Sequence, residues 1–268
     1  MVFLVFIILS ILLFFDIIYF IQYINKFNLN YNNYITKKGL NMKITYIHHS
    51  SFSVELDNTI LLFDYFKGNL PSFDKNKKLY VFSSHSHHDH FDESIFNIEK
   101  THPNVEYILS NDIKTTKSQN TKFIGANERL LVDNLEIRTL ESSDLGVAFI
   151  VKVDDKIIYH AGDLNWWHWE GENTPEENKF AEDKFKSAID KIKGENIDVA
   201  FLPLDSRQGN QYYLAFDYFM RNTNTKVAFP MHFFRAYSLS KIFKDSEYAS
   251  TYKDKIIDIN KDSQTFEL

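Results

Sequence analysis

The sequence predicts an α/β fold in which two β-sheets are sandwiched between helical layers. Three observations predict it. Short apolar runs follow one another closely from Lys43 onward; amphipathic stretches with helix start and stop signals interleave with later runs; and three separate strand-like runs end in loops rich in metal-ligand side chains.

KITYIHH, SFSVEL and TILLFDY read as three successive strands, the last two joined by a turn at Asp57-Asn58. KLYVFSS is a fourth, and it delivers a histidine cluster at its C-terminal end. DESIFNIEK reads as a short helix with acidic residues at its N-terminus, where the helix dipole favours them. YILS, KFIG, LEIRTLE, VAFIVKV and KIIYHAG continue the strands, with LEIRTLE and VAFIVKV alternating apolar and polar residues. The longest helix, PEENKFAEDKFKSAIDKIKG, is expected to carry Phe180, Phe185, Ala188, Ile189 and Ile192 on one face and to end at Gly194. DVAFLPLD then reads as a buried strand, QYYLAFDYFMRN as a helix, KVAFPMHF as a strand running into a loop, and SLSKIFKDS as a last helix.

Composition narrows the function classes. The chain has 268 residues, a formal net charge of -6 and 44% hydrophobic residues, so it can build a sizeable core but presents no basic field to collect a nucleic acid. It has no cysteine, so any metal must sit on His, Asp and Glu. Residues 1–24, MVFLVFIILSILLFFDIIYFIQYI, are apolar apart from Asp16. As a helix they span roughly 34 Å at about 1.5 Å per residue, enough for a bilayer core of about 30 Å. The expected organisation is a transmembrane helix at 1–24, an Asn-rich linker at 25–41 and a folded domain at 42–268. Lys26, Lys37 and Lys38 follow the apolar segment and place that domain on the cytoplasmic face of the membrane. Translation from Met42 is the competing reading, and gives a soluble cytoplasmic protein.

SSHSHHDHF, residues 83–91, holds the pattern H-x-H-x-D-H in His85, His87, Asp89 and His90. On an extended chain His85 and His87 point the same way and can share one ion, while Asp89 and His90 face a neighbouring site. Imidazole with carboxylate suits Zn²⁺, with Mn²⁺ or Fe as alternatives. A solvated His-rich loop is the bland alternative, and it predicts no partners elsewhere. HAGDLN, however, places Asp163 after one strand, and FPMHF places His232 after another.

On these residues the chain from about residue 42 onward resembles the metallo-β-lactamase fold superfamily of metal-dependent hydrolases, and within it the branch resembling L-ascorbate-6-phosphate lactonase. The resemblance implies a four-layer αββα sandwich with its site at one edge of the two sheets. It implies that His85 and His87 hold a first metal, that Asp89, His90 and His232 hold a second, and that Asp163 bridges them. Asp64, in LLFDYF, matches an aspartate that braces the metal loop. The family supplies a further histidine to the first metal from the loop before VAFIVKV, where this chain has Ser142, Ser143 and Asp144. Asp144 is either a substitute oxygen ligand or a turn residue. His168, in NWWHWEG, is a second candidate replacement or a proton donor. Of His48 and His49, which the fold brings near the site, at least one is expected to be structural.

The activity expected is hydrolysis of a small-molecule ester, lactone or phosphoester by metal-activated water, with one or two ions bound. Asp89 or Asp163 would orient the water and accept its proton, and His168 would protonate the leaving group. Trp166, Trp167 and Trp169 either pack on the sheet edge or wall the pocket, and Arg207 and Arg235 either suit an anionic substrate or are surface salt-bridge partners. The competing classes are a catalytically silent metal-binding sensor or scaffold and a nuclease, the latter disfavoured by the acidic balance. No G-x-S-x-G elbow is present for serine catalysis.

Overall fold

A computed structural model describes residues 42–116 and 120–268. The segments read as membrane helix and linker lie outside the described residues. Among the described residues no helix is long and apolar enough to cross a membrane.

The first sheet contains β1 (Lys43–His48), β2 (Ser51–Glu55), β3 (Thr59–Phe63), β4 (Lys78–Ser83), β5 (Val105–Ser110), β6 (Thr121–Ile124) and β13 (Gln264–Glu267), in the order β13-β1-β2-β3-β4-β5-β6. The second contains β7 (Arg129–Val132), β8 (Leu135–Glu141), β9 (Val147–Val153), β10 (Lys156–His160), β11 (Asn196–Pro203) and β12 (Asn224–Met231), in the order β12-β11-β10-β9-β8-β7. β3 to β6 run parallel, as do β10 to β12, so the C-terminal ends of each parallel set point one way. The candidate ligands leave the strands at those ends.

Side-chain alternation builds the layers. On β3 and β4, Ile60, Leu62, Leu79 and Val81 face outward into a cluster with Ile95, Phe96 and Ile98 of the 3₁₀ helix Glu93–Lys100. Phe63 and Phe82 point the other way and meet the second sheet. Phe82 contacts Phe149 at 5.2 Å between ring centroids, and Phe52 contacts Phe201 at 4.3 Å. The centre of the sandwich is therefore an aromatic layer, and the chain's many phenylalanines serve it. β9 does not show the expected alternation: every residue of it but Lys152 is buried.

Helix α1 (Pro175–Asp190) starts at a capping box, in which Thr174 and Glu177 satisfy each other's backbone N–H groups. It ends earlier than expected, and Ile192 and Gly194 lie in the turn that follows. Phe185, Ala188, Ile189 and Ile192 are buried as expected, but Phe180 is 70% exposed. It stands five residues before Phe185, about 140° round a helix that advances about 100° per residue, and so leaves the apolar stripe. Helices α2 (Leu214–Asn222) and α3 (Ser238–Lys244) occupy the expected stretches.

Gly146 brings the two sheets together at the site. It has φ +67°, and a Cβ there would lie 2.1 Å from the Ser84 carbonyl oxygen. That carbonyl accepts the Val147 N–H at 2.9 Å, locking the start of β9 onto the histidine loop. Gly146→Ala is therefore expected to cost about 3 kcal/mol. For a domain of this size that lowers Tm by roughly 6–12 °C, measurable by thermal unfolding monitored by circular dichroism.

Candidate metal centre

Two clusters of ligand-type side chains lie at the strand ends. His85, His87, Asp144 and Asp163 form one; His49, Asp89, His90 and His232 form the other; in each, one ligand atom per residue lies within 4.8 Å of the rest. Asp163 stands between them. Its Oδ2 is 3.6 Å from His85 Nε2, and its Oδ1 is 3.1 Å from His90 Nε2 and 3.4 Å from His232 Nε2.

A buried carboxylate sets the geometry. Asp64 is fully buried and accepts hydrogen bonds from the Ser84 backbone N–H, the Ser84 hydroxyl and His90 Nδ1, each at 2.7 Å. Because the Ser84 hydroxyl donates to Asp64, it accepts from His85 Nδ1 at 2.9 Å. Both histidines thus carry a proton on Nδ1 and turn Nε2 inward, that of His90 to Asp163 and that of His85 to His87 Nδ1 at 3.1 Å with Asp163 just beyond. Asp205 does the same for His232, whose Nδ1 donates to its Oδ2 at 3.1 Å.

This arrangement tests whether a cation fits. His90 Nε2, His49 Nε2 and Asp163 Oδ1 are buried and have no hydrogen-bond partner. His90 Nε2 and Asp163 Oδ1 are close enough for a hydrogen bond but lack the alignment for one. Imidazole nitrogens and a carboxylate converging on a common buried space need a proton or a cation among them. The donor set of imidazole nitrogens and carboxylate oxygens is that of a Zn²⁺, Mn²⁺ or Fe site.

Electrostatics agree. Burial pushes the His85 and His49 imidazoles down to about 4, so both are neutral near pH 7. Burial alone would raise the Asp163 carboxyl, but His90, His232 and His85 together hold it well below the usual carboxylate range. For His90 burial favours the neutral ring, and the flanking Asp163 and Asp64 outweigh it, raising its pKa well above the ordinary value. A positive charge is therefore stabilised at this spot, and a bound cation can supply it in place of the proton.

The remaining expected residues divide. Asp144 lies beside His87, 3.6 Å from its Nδ1. The loop carrying it is pinned by Ser143, which donates to the Asn165 carbonyl at 2.5 Å and accepts the Asn165 N–H at 2.9 Å. His168 is in neither cluster; its Nε2 pairs with Glu170 at 2.9 Å. His48 pairs with Asp262 rather than entering the site. His160 accepts the Gly162 N–H, pairs with the Ser50 carbonyl and stacks on Phe63 at 5.0 Å, supporting the layer beneath the metal loop.

His49 joins the second cluster beyond the expected ligand set, and its signal was only the strand end. It and His232 both take the left-handed conformation, with φ 55° and 63°. The His232 N–H donates to the His49 carbonyl at 3.3 Å, and their rings lie 4.3 Å apart. Above the clusters is a pocket of about 390 Å³, walled by Trp167, Trp169 and Arg207. The Arg207 guanidinium is bound by Asp205 and lies 4.6 Å from the Phe234 ring centroid.

Comparison with known proteins identifies the architecture. Residues 43–168 match the family model of the beta-lactamase superfamily domain. Over those residues, just under half of the chain, it is similar to that superfamily. A "UPF0173 metal-dependent hydrolase" from Nanoarchaeum equitans is 28% identical over 210 residues, covering 72% of this chain and 84% of the relative. Another, from Korarchaeum cryptofilum, is 26% identical over 134 residues, or 46% of this chain; the match spans only 60% of that relative's length. Among solved structures, Igni18, described as a metallo hydrolase from Ignicoccus hospitalis, superposes with TM-score 0.58 at 20% identity, over 85% of this chain and 99% of its own. The last likeness establishes a shared fold.

The role of Asp64 can be tested directly. Asp64→Asn keeps the shape of the side chain but cannot accept all three hydrogen bonds as a carboxylate does. It is expected to weaken Zn²⁺ binding about 10–100-fold. Competition with a chromogenic chelator measures this, with far-UV circular dichroism unchanged as the folding control.

Proposed function

We propose that the chain is a metal-dependent hydrolase that holds a cation in each cluster, Zn²⁺ by preference, and cleaves an anionic small-molecule ester, lactone or phosphoester. The observation that carries this reading is the convergence of unpaired, buried Nε2 and carboxylate atoms on Asp163. Divalent cations there would lower the pKa of a bound water toward about 7 and polarise the scissile oxygen. His85, His87, Asp144 and Asp163 would hold one cation, and His49, Asp89, His90 and His232 the other.

The chain's own groups supply the rest. Asp89 and Asp163, both lining the pocket, orient the attacking water and take its proton. Water oxygen joins the acyl or phosphoryl centre, the ester oxygen departs, and the proton passes to it. His168 serves as that proton donor only by turning away from Glu170. Arg207 keeps its Nη1 without a hydrogen bond among the described residues, and offers it to the substrate's negative charge. The lactonase-like branch adds lactones to the substrates to be tried. The names of the archaeal relatives support hydrolysis and specify no substrate.

Protein purified without chelators is expected to carry about two metal ions per chain by elemental analysis, and to turn over at least one member of a panel of lactones, esters and phosphodiesters. Asp89→Ala and Asp163→Asn should each lower kcat/KM at least 100-fold, about 2.7 kcal/mol of transition-state stabilisation. Metal binding without turnover of any of these substrates would instead favour a silent sensor or scaffold. The reading of residues 1–24 as a membrane anchor, 25–41 as a linker and 42–268 as a cytoplasmic domain rests on sequence hydropathy and lysine placement. Carbonate extraction of membranes tests it.

A further inference from the structure

Trp167 and Trp169 stand in two walls at once. On one side they line the metal pocket with Asp144 and Arg207. On the other they line an outer hollow of about 410 Å³ with Glu176 and Phe180. Their rings are stacked, with centroids 5.7 Å and planes 5° apart, so the pair forms an apolar ridge from the pocket to the hollow. Phe180, 70% exposed, stands at its outer end. A single exposed phenylalanine needs no explanation, but one that extends an aromatic ridge leading out of a pocket does.

Charge gives the ridge a direction. Arg207 stands at the inner end and Glu176 with Glu177 at the outer, so once cations offset Asp89, Asp144 and Asp163 a negative group is favoured at the first and repelled from the second. An uncharged, apolar group suits the outer end.

We propose that the substrate is an amphiphile: an anionic ester or phosphoester whose charged end lies against Arg207 and the metal clusters, and whose acyl or alkyl chain runs over Trp167 and Trp169 to Phe180. The inner half rests on the hydrolase reading. The outer half is a binding surface whether or not a bond is cleaved.

All three tryptophans of the chain fall within residues 166–169, so intrinsic fluorescence reports the ridge directly. The experiment titrates the full-length, Zn²⁺-loaded protein with ethyl, butyl, hexyl and octyl phosphate below their micelle concentrations. Kd is expected to fall about two- to fourfold per added methylene. Phe180→Ser, at an exposed position, should flatten that dependence for hexyl and octyl phosphate and leave ethyl phosphate unchanged. Arg207→Gln should weaken all four by a common factor. A Kd independent of chain length, or a slope that survives Phe180→Ser, overturns the proposal. Ethyl and octyl 4-nitrophenyl phosphate, assayed in parallel, separate the two readings. Chain-length-dependent binding without metal-dependent hydrolysis sinks the hydrolase and keeps the ridge; hydrolysis indifferent to chain length sinks the ridge and keeps the hydrolase.

Discussion

Everything at the site depends on the buried carboxylate of Asp64. Burial alone would favour its neutral form, but His160, His90 and His85 outweigh that and keep its pKa below the ordinary value. As an ionised acceptor it fixes the Ser84 hydroxyl and His90 Nδ1, and through Ser84 it fixes His85. One charge therefore holds a proton on Nδ1 of two imidazoles and turns both Nε2 atoms inward. Asp205 repeats the device on His232. The histidines are pre-oriented before any cation arrives, so little orientational entropy remains to be lost on binding, and a cation would take the place of the proton that His90 otherwise holds.

That preorganisation is held in place by strained backbone. His49, Asp64 and His232 all have positive φ, and Gly146 and Gly162 both pack against Ser84 where a Cβ would clash. Such conformations cost of order 1–3 kcal/mol each in non-glycine residues and persist only where surrounding structure over-determines them. The surroundings here are the aromatic layer between the sheets. Phe63 immediately precedes Asp64 and is sandwiched between Phe82 at 4.8 Å and His160 at 5.0 Å. Packing energy in the core thus supports strain at the edge, and the edge is where the chemistry gathers.

The fold's two sheets and the local candidate ligands were legible in the sequence because their signals are local. Apolar runs mark the strands, and His85, His87, Asp89 and His90 fall within one loop after one of them. Asp163 and His232 were legible for the same reason, each directly following an apolar strand. Asp144 was not decidable, because Ser-Ser-Asp is equally good turn chemistry; only the bonds of Ser143 to Asn165 and of Val147 to Ser84 bring it beside His87. His49 depends on a backbone bond to His232 from the far end of the chain. β13 is short and half-exposed, and it exists through pairing with β1 rather than through a pattern of its own. Phe180 was misplaced because its apolar character was read without its angle round the helix.

The charges also impose an order on binding. Asp89, Asp144 and Asp163 surround the pocket, and the one arginine in its wall is already paired with Asp205. Without cations the pocket is therefore strongly negative, and an anionic substrate would be repelled. Two divalent ions would offset these three carboxylates together with the ionised Asp64 beneath them and remove most of the repulsion, in a partly desolvated site where such interactions are weakly screened. Asp205 ties this field to the contact point proposed for the substrate, since the same carboxylate orients His232 and holds Arg207. The proposed metal ligand His232 and the guanidinium proposed to bind the anion are therefore mechanically one unit, and an anion would settle on Arg207 only once cations beneath it had changed the charge it meets.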